Sequence, residues 1–236
     1  MKDELQNKKV VVISAHADDH IACAGTLMKL QAQGYSLYEI ILTTSNEGRD
    51  FRAPTESYDV AQLRENEFSV ASKFLGTRQV FHLNQEDLDL TYAKELMLQI
   101  AGIIRKVQPT VGIMLHSFDW HPDHRATHQL ASEGFKWAAT GVRPEMGEAW
   151  RTPIVLAAEG MLPIKPNVLV DITPFVARKM ELHRIYESQA QPKALNFEEG
   201  LMSVRGYHLR RPGSLMAEAY CTDPTSPIVL FDEAAP

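Results

Sequence analysis

From Val10 onward, short aliphatic runs alternate with longer amphipathic stretches. A chain patterned this way is expected to form a parallel sheet with helices on both faces. The first run, Val10 to Ser14, is rich in β-branched residues, as suits a strand buried on both sides. Further strands are expected at Leu37–Thr43, Gln79–Leu83, Val111–Leu115, Ile154–Ala158 and Val168–Asp171, and a last one near Ile228–Phe231. Helices are expected at Ile21–Gln33, Val60–Leu75, Tyr92–Val107, Arg125–Ala139 and Pro174–Ser188, where apolar residues recur at helical spacing. Gly34 and Gly76 stand where left-handed C-caps belong, Pro109 stops a helix, and Thr173 is a cap candidate. The expected fold is α/β, a Rossmann-like doubly wound, mostly parallel sheet of order 3-2-1-4-5. No repeat or linker divides the chain, so residues 1–236 read as one domain.

Two polar clusters interrupt this pattern. Ala15-His16-Ala17-Asp18-Asp19-His20 follows the first expected strand, and His116-Ser117-Phe118-Asp119-Trp120-His121-Pro122-Asp123-His124 follows the fourth. In a doubly wound sheet, ligands bind outside the C-terminal strand ends where the strand order reverses. Order 3-2-1-4-5 makes strands 1 and 4 neighbours there, so the two clusters are expected to meet. Imidazole and carboxylate are zinc ligands, and a catalytic site keeps three of them with a position open for water. His16 and Asp19 can bind one ion from a single turn, and a histidine of the second cluster would complete the set. Asp18 is left to act as a base. Iron(II) suits the same donors. Each histidine alone would be an ordinary structural residue; two clusters at neighbouring strand ends argue for a metal site.

Other classes fit poorly. A net charge of -6 disfavours a nucleic-acid binder. No glycine-rich phosphate loop follows the first strand, where two aspartates would repel a pyrophosphate. The run Val10–Ile13 is too short for a leader or membrane span, so a cytoplasmic protein without membrane contact is expected. Cys23 and Cys221 lack metal-type spacing and read as free thiols. Asn46-Glu47-Gly48-Arg49 follows the second strand at the same sheet edge, making Asn46 and Glu47 candidates for lining a pocket. Asp119 could contact the metal loop or cap the next helix. His82, His128, His183 and His208 have no partner at metal spacing and read as structural.

The sequence resembles the LmbE/PIG-L family of zinc-dependent N-deacetylases. Its AHPDDE motif is similar to residues 15–20, and its HPDH followed by RA to His121-Pro122-Asp123-His124-Arg125-Ala126. Supporting similarities are Leu63-Arg64-Glu65-Asn66-Glu67, the stretch from Val170-Asp171 through Lys179 and His183 to Ser188-Gln189, and Ala217-Glu218-Ala219-Tyr220. The resemblance implies that His16, Asp19 and His124 hold zinc and that Asp18 is the general base. It implies that His121 faces the scissile carbonyl with Asp123 supporting it, and that Arg64 reaches the substrate. Known family members act on N-acetylglucosamine groups in thiol precursors, glycolipid anchors, chitin disaccharides and some antibiotics. Since relatives often assemble, it also implies a homo-oligomer. The expected activity is therefore deacetylation of an N-acetylated amino sugar, a small-molecule substrate. Ala17 and His20 depart from the motif's proline and glutamate; His20 is open to orienting a ligand, competing for metal or starting the helix. Trp120 offers a face for stacking on a sugar ring, or a place in the core.

Overall fold

The computed structural model describes residues 8–52 and 59–229. At its centre β1 (Lys9–Ser14) pairs in parallel with β2 (Ser36–Thr43) on one side and β4 (Val111–Leu115) on the other. β3 (Gln79–Gln85) adds to β2, and β5 (Ile154–Ala158) to β4, both parallel. These five strands stand in the expected order 3-2-1-4-5. Two more extend the sheet, β7 (Ala217–Thr222) antiparallel to β5 and β6 (Val168–Asp171) antiparallel to β7, giving β3-β2-β1-β4-β5-β7-β6.

Alternate side chains of β1 feed two cores, as the pleat requires. Val10 and Val12 pack with Leu27, Leu75 and Leu182 from α1 (Ala24–Ala32), α2 (Val60–Leu75) and α5 (Val176–Ile185). Val11 and Ile13 pack with Ile100, Ile104 and Phe135 from α3 (Lys94–Val107) and α4 (Pro122–Ala138). Gly112 lets α4 press close to β4, since a Cβ there would lie 2.3 Å from the Phe135 ring. Helix ends follow local chemistry. Asp59 caps α2 by accepting from the Gln62 N–H, and Gly76 closes it at φ 72°.

The C-terminal third departs from expectation. Local pattern does not predict β7 as a strand, nor α6 (Pro192–Leu209) as a helix. A charged Glu218 interrupts the apolar pattern of β7, and Gly200 and Gly206 lower the helical propensity of α6. Ile228 and Val229 lie in no strand, and the rest of that expected strand lies outside the described residues. The expected helices at 21–33 and 174–188 each begin as a short 3-10 turn, Asp19–Cys23 and Thr173–Phe175, before α1 and α5. Cys23 and Cys221 are free. Among the described residues no helix is long and apolar enough to cross a membrane.

Candidate functional site

Because β1 and β4 are hydrogen-bonded neighbours, the loops at their C-terminal ends face one another. His16 enters two residues beyond β1, and His124 stands in the first turn of α4. His16 Nδ1 lies 3.2 Å from His124 Nε2 and 3.6 Å from Asp19 Oδ2, and His124 Nε2 lies 3.1 Å from Asp19 Oδ1. Tetrahedral zinc ligands at about 2.0–2.1 Å from the ion stand roughly 3.4 Å apart. The two imidazoles stand at about that separation, and Asp19 approaches them with one carboxylate oxygen each, so the three side chains face a common space. His121 adds a third imidazole, with donor atoms of His16, His121 and His124 all within 4.8 Å of one another.

The outward nitrogens of both ligand candidates meet carboxylates. His16 Nε2 is 3.0 Å from Asp87 Oδ1 and 3.3 Å from Asp123 Oδ2, and His124 Nδ1 is 3.1 Å from Asp119 Oδ2. Such pairing fixes ring orientation and raises ligand basicity. Asp119 also accepts from the backbone N–H groups of His121 (2.9 Å) and Met161 (3.2 Å), which anchors it between two loops.

The acids crowd these imidazoles with negative charge. Burial disfavours charge on His16, yet Asp19, Asp123 and Asp87 overcome it and push its pKa up to about 12. His124 is likewise buried, and Asp19 and Asp119 push it up to about 10. Burial works against ionising Asp19, but His124 and His16 hold its carboxyl well below the usual range. A site that binds protons this firmly is one that stabilises positive charge, as a metal site must.

Asp18 opens onto a cavity of about 580 Å³ while forming an ion pair with Arg64 of α2. Burial opposes its ionisation, and the Arg64 cation outweighs this to hold its pKa below the ordinary value. Arg64 is itself only 4% exposed. Its Nη2 meets Asp18, while Nε and Nη1 have no hydrogen-bond partner.

His121 caps α4, its Nδ1 accepting from the Asp123 N–H at 3.3 Å. The neutral ring therefore carries its proton on Nε2. Burial, then the neighbouring His16 and His124, lower its pKa. The Asp123 carboxylate acts on His121 through its charge and makes no hydrogen bond to that ring. Its direct contacts are instead His16 Nε2 and the Leu88 N–H (2.8 Å), because the α4 turn directs it toward the β3 loop.

The remaining candidates separate. Trp120 is 56% exposed beside the cavity, with its ring 5.4 Å from that of His121, so the core alternative is excluded. Asn46 and Glu47 do not line this cavity. Asn46 accepts from Thr44 Oγ1 (2.7 Å) and the Asp87 N–H (3.2 Å) and donates to Glu86 (3.0 Å), bracing the loop that carries Asp87. Glu47 is exposed. His20 is fully buried and turned away from the ligand atoms, with Nδ1 2.6 Å from Glu39 Oε2. The Tyr186 hydroxyl donates to the Ala17 carbonyl (2.6 Å), leaving it to accept from His20 Nε2 (2.9 Å).

Sequence reasoning passes over Asp87. Its signal is the acid run Glu86-Asp87 just beyond the third strand, at the same sheet edge as the two named clusters.

The family model for PIG-L, described as GlcNAc-PI de-N-acetylase, matches residues 11–135 and so takes in both clusters. The chain belongs to the PIG-L family. A diacetylchitobiose deacetylase from Thermococcus kodakarensis is 29% identical over 223 residues, covering 89% of this chain and 81% of that protein. A conserved protein of solved structure from Thermus thermophilus superposes with a TM-score of 0.81 at 28% identity, covering 96% of this chain and 99% of its own. Another relative, the 4-oxalmesaconate hydratase of Pseudomonas putida, is 29% identical over 180 residues, 70% of this chain and 68% of that protein. The PIG-L relatives of this chain thus include proteins named for different reactions.

Proposed function

We propose that this protein is a metal-dependent deacetylase acting on an N-acetylated amino sugar, with His16, Asp19 and His124 as the metal ligands. The observation that carries this reading is the convergence of His16, Asp19 and His124, with donor atoms 3.1–3.6 Å apart, beside Asp18, which faces a substrate-sized cavity. The deacetylase relatives support the reaction class. A zinc ion bound there would supply an acidified water and a polarised carbonyl; the donors suit iron(II) equally.

The chain's own groups do the rest. Asp18, kept ionised and oriented by Arg64, accepts a proton from the attacking water. His121 presents an Nε2–H, which can donate to the developing oxyanion or to the departing amine. Its depressed pKa favours the neutral form as that donor. Asp123, Asp87 and Asp119 act through the ligand imidazoles, and Trp120 offers an exposed ring at the rim for a sugar face.

The test is acetate release from free N-acetylglucosamine, its inositol and malate conjugates and the chitin disaccharide, by zinc-loaded and iron-loaded protein. Asp18→Asn should retain the metal and lose about 10²–10⁴-fold in kcat. Near wild-type turnover in that variant would show that the base is another group. The hydratase relative motivates a second reading, water addition to a carbon–carbon double bond. Acetate produced in step with new primary amine excludes it.

A further inference from the structure

The cavity beside Asp18 runs between α5, α6 and β7, and its volume of about 580 Å³ suits a ligand of drug size. Its buried polar groups are engaged with one another. Lys179 Nζ meets Glu198 at 2.6 Å and Glu218 at 2.7 Å. Glu218 also accepts the N–H groups of Gly25 and Thr26, both at 2.8 Å, and the Tyr220 hydroxyl at 2.9 Å. Glu159 is held by Arg205 and by the Ile164 N–H at 2.8 Å. The Gln189 amide donates to the Arg49 carbonyl and Ser188 Oγ. Among these walls, His183 Nδ1 is a buried polar atom without a hydrogen-bond partner.

The surface left for a ligand is apolar, formed by Ile21, Phe51, Met161, Phe197, Leu201 and Met202. Phe197 and Leu201 stand one turn apart on α6 and present one face. Phe51 and Phe197 remain 46% and 43% exposed, so large rings stand open to solvent at the cavity, whose other polar lining is confined to His183, Gln191 and Lys193. A sugar chain laid along the apolar side chains would bury more hydroxyls than these few polar groups can satisfy, which is unfavourable for each one left unpaired.

We infer that the amine half of the substrate carries an apolar group, an alkyl chain or aryl ring, which fills this cavity while the acetamide lies at Asp18. The inference rests on the deacetylase reading, in which the acyl half is only an acetyl group and the amine half must occupy the volume.

The experiment compares octyl and methyl glycosides of N-acetylglucosamine, below micelle-forming concentrations, as substrates of the zinc-loaded full chain. In parallel, calorimetry compares octyl and methyl glucosides, which have no amide to cleave. Each methylene taken into an apolar site is worth about fourfold, so kcat/KM and affinity should both favour the octyl compound by at least about tenfold. Leu201→Gln should shrink both ratios, with metal content confirming that the variant folds. Equal kcat/KM and equal affinity for the two chain lengths would overturn the inference and leave the deacetylase reading standing. Tighter binding of octyl glucoside with no acetate released from any compound would support the cavity assignment and overturn the deacetylase reading instead. Preferential cleavage of N-octanoylglucosamine, without any octyl-aglycone preference, would overturn the assignment to the amine half.

Discussion

Replacing His20 with glutamate, the residue of the family motif at that position, should destabilise this protein by about 4 kcal/mol at neutral pH. His20 and Glu39 are both fully buried and 2.6 Å apart, so the variant sets two carboxyl groups against each other out of water. Like charges at that distance cannot both stay ionised. One must take up a proton, and from an ordinary glutamate pKa of about 4.3 that costs about 3.7 kcal/mol at pH 7, at about 1.36 kcal/mol per pH unit. For a chain of this size the melting temperature should fall by roughly 7–15 °C. The sign with pH follows from linkage. A carboxyl whose folded pKa is raised retains its stability below the unfolded value and loses it as pH rises toward the folded one. The deficit relative to wild type should therefore be largest above about pH 7 and shrink toward about pH 4.5. Thermal melts of the chelator-treated protein across that range read it directly, and Glu39→Gln in the His20→Glu background should recover most of the loss. An unchanged melting temperature at pH 7, or a deficit indifferent to pH, would refute the reasoning.

The remaining predictions concern the metal ligands and α6. Asp19 and its neighbouring acids favour the charged form of the facing pair His16 and His124, so coordination must expel a proton from the pair. Zinc uptake by chelator-stripped protein should thus release about one proton per ion from the pair in a pH-stat titration, and affinity should rise with pH; uptake without proton release would contradict the ligand assignment. Asp119→Asn should weaken metal binding about 10–100-fold in competition titrations while far-UV circular dichroism is unchanged, because Asp119 faces His124 Nδ1 at 3.1 Å. Gly206→Ala should destabilise by about 1–3 kcal/mol or more, since its Cβ would stand 2.0 Å from the Leu215 carbonyl oxygen. Gly200→Ala, in the same helix with nothing within 4 Å, should stabilise by up to about 1 kcal/mol in denaturant titrations.

Val10–Ile13, Leu37–Leu42 and Val111–Leu115 are legible as strands because a parallel strand buried on both faces needs a nearly continuous apolar run. Strand order then follows from few permitted topologies, and with it the meeting of His16 and Asp19 with His124. The aliphatic run of β2 outweighs its buried Glu39, but in β7, where only alanines flank it, Glu218 hides the strand. That charge is tolerable only beside Lys179 and the N–H groups of Gly25 and Thr26, partners brought near by folding and invisible to local pattern. The same limit separates the roles around the site. Which residue types gather at the sheet edge is written in the sequence. Only the tertiary structure decides that Asp123 turns to His16, that Arg64 spends its charge on Asp18, and that His20 faces Glu39. A buried charge or imidazole is defined by the opposite charge or donor within hydrogen-bond reach, and that distance exists only once the chain has folded.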